Sequence, residues 1–194
     1  MDIGPVSLEG KCVRLEPLRD VHAAGLFEIG RDASIWTWML RVPFTTLAEA
    51  RELVASALAL ERAGTQLPFV IIEKAGGRVA GSTRYLNISH VDRGLEIGHT
   101  WLGVEFQRTA VNTECKYLLL RHAFETLGCA RVQLKTDALN ERSRRAIERI
   151  GATFEGVLRK YQLTRNDRIR DTAMYSITDD EWPRVRALLE SRMT

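Results

Sequence analysis

Asp137-Ala138-Leu139-Asn140-Glu141-Arg142-Ser143-Arg144-Arg145-Ala146-Ile147-Glu148-Arg149-Ile150-Gly151-Ala152-Thr153-Phe154-Glu155-Gly156 reads as a helix entered from one strand and left for another. Asn140 is a capping residue type whose side chain accepts from the free N–H groups of a first helical turn. Ala146, Ile147 and Ile150 fall on one helical face, and Gly151 closes the helix. Upstream, Val132, Leu134 and Thr136 alternate with polar residues over Arg131 to Asp137, the period of a half-buried strand. Downstream, Thr153 to Leu163 and Ile169 to Ile177 read as strands around the turn Arg165-Asn166-Asp167. A capping box of Thr178 and Glu181 then opens a last helix that buries Trp182, Val185, Leu188 and Leu189.

Working toward the N-terminus, Val111 to Thr126 is a helix so apolar around Tyr117-Leu118-Leu119-Leu120 that it packs on a sheet face. Gly94 to Leu102 precedes it as a strand. Gly76-Gly77 turns Pro68–Glu73 into Arg78–Asn87, a hairpin. Ala50, Leu53, Val54, Ala57, Leu58 and Leu60 recur at helical spacing. Ser34 to Phe44 is an aromatic-rich loop, Asp20 to Ile29 a helix, and Leu8 to Leu18 the first strand. The order β-α-α-β-β-β-α-β-α-β-β-α is that of an α/β (α+β type) layered fold on a seven-stranded sheet. No repeat or linker divides the chain, so residues 1–194 read as one domain.

Composition narrows the function classes. Lys and Arg number 28 against 25 Asp and Glu, a net charge of +3. No stripe of basic residues interleaves with aromatics, which argues against nucleic acid; the small surplus suits an anionic small molecule. The 3 cysteines, Cys12, Cys115 and Cys129, form no C-x-x-C pair, and the 4 histidines lack metal-ligand spacing, so no metal is expected. The longest apolar run, Leu67 to Ile72, is far below the roughly 20 residues that span a bilayer. The opening Met1-Asp2-Ile3-Gly4-Pro5 lacks a signal peptide's basic and apolar regions. These readings point to a cytoplasmic protein without a membrane partner.

The chemistry is expected at strand-to-helix junctions. Gln107-Arg108-Thr109-Ala110-Val111-Asn112-Thr113 leads from a strand into the long apolar helix, where unpaired N–H groups and the positive helix end make an anion site. The same segment is also a plausible structural turn with a solvated arginine.

The pattern N-x-x-S-x-x-A-I-x-x-x-G-A-x-x-E-G from Asn140 to Gly156 resembles the GNAT superfamily of acetyl-CoA-dependent N-acetyltransferases, in the branch of the ribosomal-protein N-terminal (alanine/serine) acetyltransferases. Leu95-Glu96-Ile97-Gly98-His99-Thr100-Trp101-Leu102 is similar to that branch's E-I-G strand. The likeness runs from Arg14-Leu15-Glu16-Pro17-Leu18 to Tyr175-Ser176-Ile177. It implies a mixed, mostly antiparallel sheet flanked by helices, with the fourth expected strand (Gly94–Leu102) splayed from the fifth (Arg131–Asp137). Pantetheine of acetyl-CoA would then pair with backbone near Leu102, Gly103 and Val104. Gln107, Arg108, Thr109, Ala110, Val111, Asn112 and Thr113 would wrap the pyrophosphate. Ala110 and Asn112 stand where the family has glycine, then glycine or alanine, which points to weaker or shifted phosphate binding.

The resemblance also implies site roles. Glu96 is either the general base for the attacking amine or a carboxylate salt-bridged within the sheet or orienting the first-strand arginine. Asn140 is a helix cap and a reach toward pantetheine; Ser143 lies near the leaving thiol. Gln162 takes the place of a carboxylate base of the related enzymes. Trp36, Trp38 and Phe44 either wall the acceptor pocket or pin their loop to the core. The function implied is transfer of acetyl from acetyl-CoA to a primary amine, either a protein N-terminus or a small amine. The alternative is a non-catalytic acyl-CoA-binding module. A homodimer is compatible with the resemblance.

Overall fold

The computed structural model describes residues 1–39, 41–164 and 167–193. The strands are β1 (Leu8–Glu9), β2 (Val13–Pro17), β3 (Gln66–Glu73), β4 (Arg78–Ser89), β5 (Gly94–Leu102), β6 (Arg131–Asp137), β7 (Thr153–Leu163) and β8 (Ile169–Thr178). The helices are α1 (Ala23–Ile29), α2 (Leu47–Arg62), α3 (Ala110–Arg121), α4 (Glu141–Arg149) and α5 (Trp182–Ser191). All 8 strands join one sheet in the order β1-β2-β3-β4-β5-β6-β8-β7. Every neighbouring pair is antiparallel except β5 with β6.

The expected first strand, Leu8 to Leu18, is instead two. Gly10, Lys11 and Cys12 turn the chain so that Leu8 faces Leu15, which gives 8 strands rather than seven. The turn is held by Glu114 of α3, whose carboxylate accepts the backbone N–H groups of Lys11, Cys12 and Val13 at 2.6, 2.7 and 2.8 Å. Gly10 is required there, because a Cβ would come within 2.5 Å of that carboxylate. The long helix expected over Val111 to Thr126 ends at Arg121 and continues as a π-turn, His122–Thr126. The last helix is capped by Glu181 itself, whose side chain reaches back to the N–H of Thr178 at 3.0 Å. The turn expected at Arg165-Asn166 lies outside the described residues.

Two cores flank the sheet. The larger joins α3, α4 and α5 to the strand residues that alternate inward, among them Leu15, Phe69, Tyr85, Leu95, Ile97, Val132, Leu134, Ala173 and Tyr175. The smaller, on the opposite face, packs α1 and α2 through Leu26, Ala50, Leu53 and Val54 onto Val70, Ile72 and Trp101. That second cluster holds no residue of β6, β7 or β8, and the polar residues on their outer face, Asp137, Arg170, Thr172 and Ser176, are themselves buried. Among the described residues no helix is long and apolar enough to cross a membrane.

Candidate active site

β5 and β6 register only through Gly94 with Arg131, Leu95 with Val132 and Glu96 with Gln133. Beyond Glu96 the strands part, leaving the facing edges of residues 97–102 and 134–137 without a partner strand. Such edges accept an extended ligand by main-chain hydrogen bonding. β5 also carries a bulge: Ser82 faces Trp101 and Arg84 faces Gly98, with His99 in the left-handed region at φ 49°.

Two helix N-termini stand at the far end of the gap. Thr109 caps α3, its hydroxyl accepting the N–H of Val111 at 3.2 Å. The N–H groups of Ala110 and Asn112, also in the first turn, have no intrahelical acceptor. Ala110 and Asn112 are helical and neither has positive φ, so the fold does not demand glycine at either position. Arg108 alone in this loop is left-handed, at φ 61°. Asn140 caps α4, accepting the N–H of Ser143 at 3.1 Å. Gln107 ties the two junctions together: it donates to the Leu102 carbonyl at 3.1 Å and accepts from Arg142 at 3.0 Å. Thus Leu102, Gly103, Val104, residues 107–113, Asn140 and Ser143 gather at one mouth. A hollow of about 610 Å³ between Glu28, Ile29 and the Gly103–Glu105 turn, and one of about 460 Å³ beside Thr109–Val111, flank that turn.

Glu96, 2% exposed, sits where the strands begin to part. Its Oε2 accepts from Asn87 at 2.9 Å and Gln133 at 3.1 Å, and pairs with Lys135 at 3.0 Å. Oε1 accepts none of these and lies beside Gly98, where a Cβ would come within 2.9 Å of it. The first-strand arginine, Arg14, does not approach Glu96; it pairs with Glu16 at 2.5 Å.

The aromatic residues divide. Trp36 and Phe44 are buried, their rings 5.2 Å apart, and Trp36 donates to the Gly30 carbonyl at 2.7 Å. They stack with Trp101 of β5 and anchor their loop to the smaller core. Trp38 is half-buried. Gln162 pairs in register with the buried Arg170.

Several residues were invisible to local sequence patterns. His99 is exposed on the bulge, yet the protein around it and the cations of Arg84, Lys135 and Arg170 push its pKa down to about 4. The imidazole is neutral at physiological pH. Arg142 and Lys135 come to the site only through helix docking and strand pairing. Among the described residues no group of three His, Cys, Asp or Glu could hold a metal ion.

A family model described as "Acetyltransferase (GNAT) domain" matches residues 13–153. The chain belongs to the GNAT acetyltransferase family. Its family model and its relatives are those of acetyl-transferring enzymes. A Bacillus subtilis protein named "Putative ribosomal N-acetyltransferase YdaF" is 35% identical over 106 residues, 55% of this chain and 57% of that one. The match thus spans just over half the length of that relative. A crystal structure of a GCN5-related N-acetyltransferase from Brucella melitensis superimposes with TM-score 0.94 at 31% identity, covering 100% of this chain and 88% of that one. Mycobacterium smegmatis RimJ in complex with CoA-disulfide shares the GNAT fold at TM-score 0.80 and 24% identity, covering 97% and 93%.

Proposed function

We propose that this GNAT enzyme moves an acetyl group from acetyl-CoA to a primary amine, a protein N-terminus or a small amine, in the cytoplasm. The observation that carries the reading is the parting of β5 from β6 in front of two helix N-termini linked by Gln107 and Arg142. A gap lined by free strand edges suits pantetheine, and converging N–H groups with Arg108 and Arg142 suit a pyrophosphate. The names of YdaF and RimJ, and the CoA-disulfide held by the latter, support the same ligand.

In this reading Leu102, Gly103 and Val104 align the pantetheine, residues 107–113 hold the phosphates, and Asn140 shapes the turn that brings Ser143 to the sulfur. The acceptor arrives as an ammonium and must lose a proton before its lone pair can attack the thioester carbon. Oε1 of Glu96, left free by the three donors on Oε2, takes that proton directly or through water. Backbone N–H groups at the bulge of β5 stabilise the oxyanion as the C–N bond forms. The C–S bond then breaks; the nitrogen gives its second proton to the Ser143 hydroxyl as that hydroxyl passes its own to the departing thiolate, so the serine ends as it began and the amide is neutral. Trp38 borders the acceptor side, while Trp36 and Phe44 fix its loop.

One observation favours a second reading: Glu96 is buried and engaged with Lys135, as suits a module that binds acyl-CoA without turnover. Calorimetric titration with acetyl-CoA and CoA, followed by thiol release with a panel of amines, separates the two. The proposal expects micromolar binding and amine-dependent thiol release. Binding without release selects the second reading, and absence of binding overturns both.

A further inference from the structure

We propose that the Thr100 hydroxyl donates a hydrogen bond to the acetyl oxygen as that oxygen turns negative, and that Lys116 is the positioning residue that orients and strengthens this donor. The inference rests on the acetyl-transfer reading above and adds a side chain to its oxyanion site. It starts from the bulge of β5. Leu95 and Ile97 point into the larger core, and Glu96 between them points to the opposite face. Past the bulge the alternation is reversed, so that Leu102 joins the larger core and Trp101 the smaller. Thr100 is thereby turned toward α3, on the stretch of β5 that has no partner in β6. With unbroken alternation it would lie on the face of Glu96.

Three polar groups meet there. Lys116 of α3, 7% exposed, donates from Nζ to the Thr100 hydroxyl at 2.7 Å. Thr100 in turn lies 2.8 Å from the hydroxyl of Thr83 on β4, which is fully buried. Each hydroxyl has one proton to give and two lone pairs to fill. Were Thr100 the donor to Thr83, the Thr83 proton would be left without an acceptor in a closed interior. Thr83 therefore donates, and the Thr100 oxygen accepts twice. The proton of Thr100 itself then has no acceptor among the described residues. It sits on the one member of the three that is only half-buried, at the edge of the gap.

A hydroxyl that accepts from a cation is polarised and gives its own proton more strongly. Among the described residues no carboxylate pairs with Lys116, so its charge favours an anion forming at the gap edge. The thioester oxygen is neutral in bound acetyl-CoA and negative only as the amine attacks, so the device favours the transition state over the ground state. Burial pushes the pKa of Lys116 down to about 8, and the ammonium is therefore lost between pH 6.5 and 9.5. Its surroundings hold no rival charge. Burial keeps the Cys115 thiol neutral, its pKa pushed up to about 11, and holds the Tyr85 phenol well above its ordinary range. His122, stacked on Tyr85, is lowered by burial from 6.5. Glu114 is turned to the Lys11–Val13 backbone, while Glu9, Arg14 and Glu190 of β1, β2 and α5 pair with Lys74, Glu16 and Arg186. Glu96 and Lys135 pair on the opposite face.

The ratio of two rates tests it. Thiol release from acetyl-CoA, with the amine of the panel that releases most, is followed from pH 6.5 to 9.5. Wild-type kcat should exceed that of Lys116→Met at least tenfold at pH 6.5 and less than twofold at pH 9.5, with the Kd for acetyl-CoA within twofold throughout. The ratio cancels titration of the amine and of the base, and a merely structural lysine would leave it constant. A constant ratio overturns the inference and leaves acetyl transfer standing. Thr100→Val should lose at least tenfold at pH 6.5, and Lys116→Met added to it should lose less than a further twofold; full additivity of the two losses overturns the inference. Infrared spectroscopy of bound acetyl-CoA, labelled with carbon-13 at its carbonyl, needs no turnover. The carbonyl stretch should lie lower in the wild type than in either variant at pH 6.5, and equal stretches overturn the inference. A lowered stretch without thiol release from any amine sinks acetyl transfer alone, and a wild type that does not bind acetyl-CoA sinks both.

Discussion

Lys116 illustrates what a single buried charge does in this fold. It is buried on α3 behind the β5 bulge, with Nζ donating to the Thr100 hydroxyl at 2.7 Å and Thr100 bonded to Thr83 at 2.8 Å. Burial pushes its pKa down to about 8 from the ordinary 10.5. Below about pH 8 the folded chain carries the charge at a cost, and stability rises as pH climbs from there toward 10.5, while the unfolded chain still holds its proton. Lys116→Met should therefore add roughly 2–3 kcal/mol at pH 7 and far less at pH 10. Urea denaturation at the two pH values checks this, and a loss at pH 7 would show that the hydroxyl network outweighs the charge. Glu96→Gln belongs to the same scale. Its kcat should fall at least tenfold while the Kd for acetyl-CoA stays within twofold, read by thiol release beside calorimetry. Glu96 stood out in the sequence because it sits in a strand motif. Arg84 and Lys135 did not, because nothing along the chain says that one faces Gly98 and the other reaches Glu96.

Most elements were legible as local patterns. The strand at Gly94–Leu102, the strand at Arg131–Asp137 and the helix between Asn140 and Gly151 stand as read, since alternation, caps and stops act within a few residues. The division of the first strand was not legible, because its cause lies about a hundred residues away in Glu114. Burial alone would raise the pKa of that carboxylate, but the Cys12 thiol and the N–H groups of Lys11, Cys12 and Val13 outweigh burial and lower it. Glu114→Ala should free three backbone donors and cost about 3 kcal/mol. Exchange protection at Lys11, Cys12 and Val13 should be lost first, and protection kept there would mean the turn stands without its carboxylate. Trp36 and Phe44 show the converse limit. Aromatic density marked their loop as important, but only packing against Trp101 reveals that they face inward.

For the molecule as a whole, charge is modest in sum and uneven in place. The net +3 hides the placing of Arg108 and Arg142 beside two helix N-termini at the mouth of the gap. Binding of an anionic ligand there should weaken with salt, because charges near a surface are screened within about 8 Å at physiological ionic strength. Raising sodium chloride from 50 to 300 mM should raise the Kd for CoA several-fold by calorimetry. A salt-independent Kd would remove Arg108 and Arg142 as phosphate partners.

The short contact between β5 and β6 has a mechanical side. A sheet otherwise laced along whole strands is stitched at this seam by one brief parallel stretch, and the two sides are otherwise joined through the larger core beneath them. Anything threaded through the opening fastens both sides at once and works as mortar. In the proposed function, occupancy would add main-chain bonds along the seam where the strands themselves supply fewest.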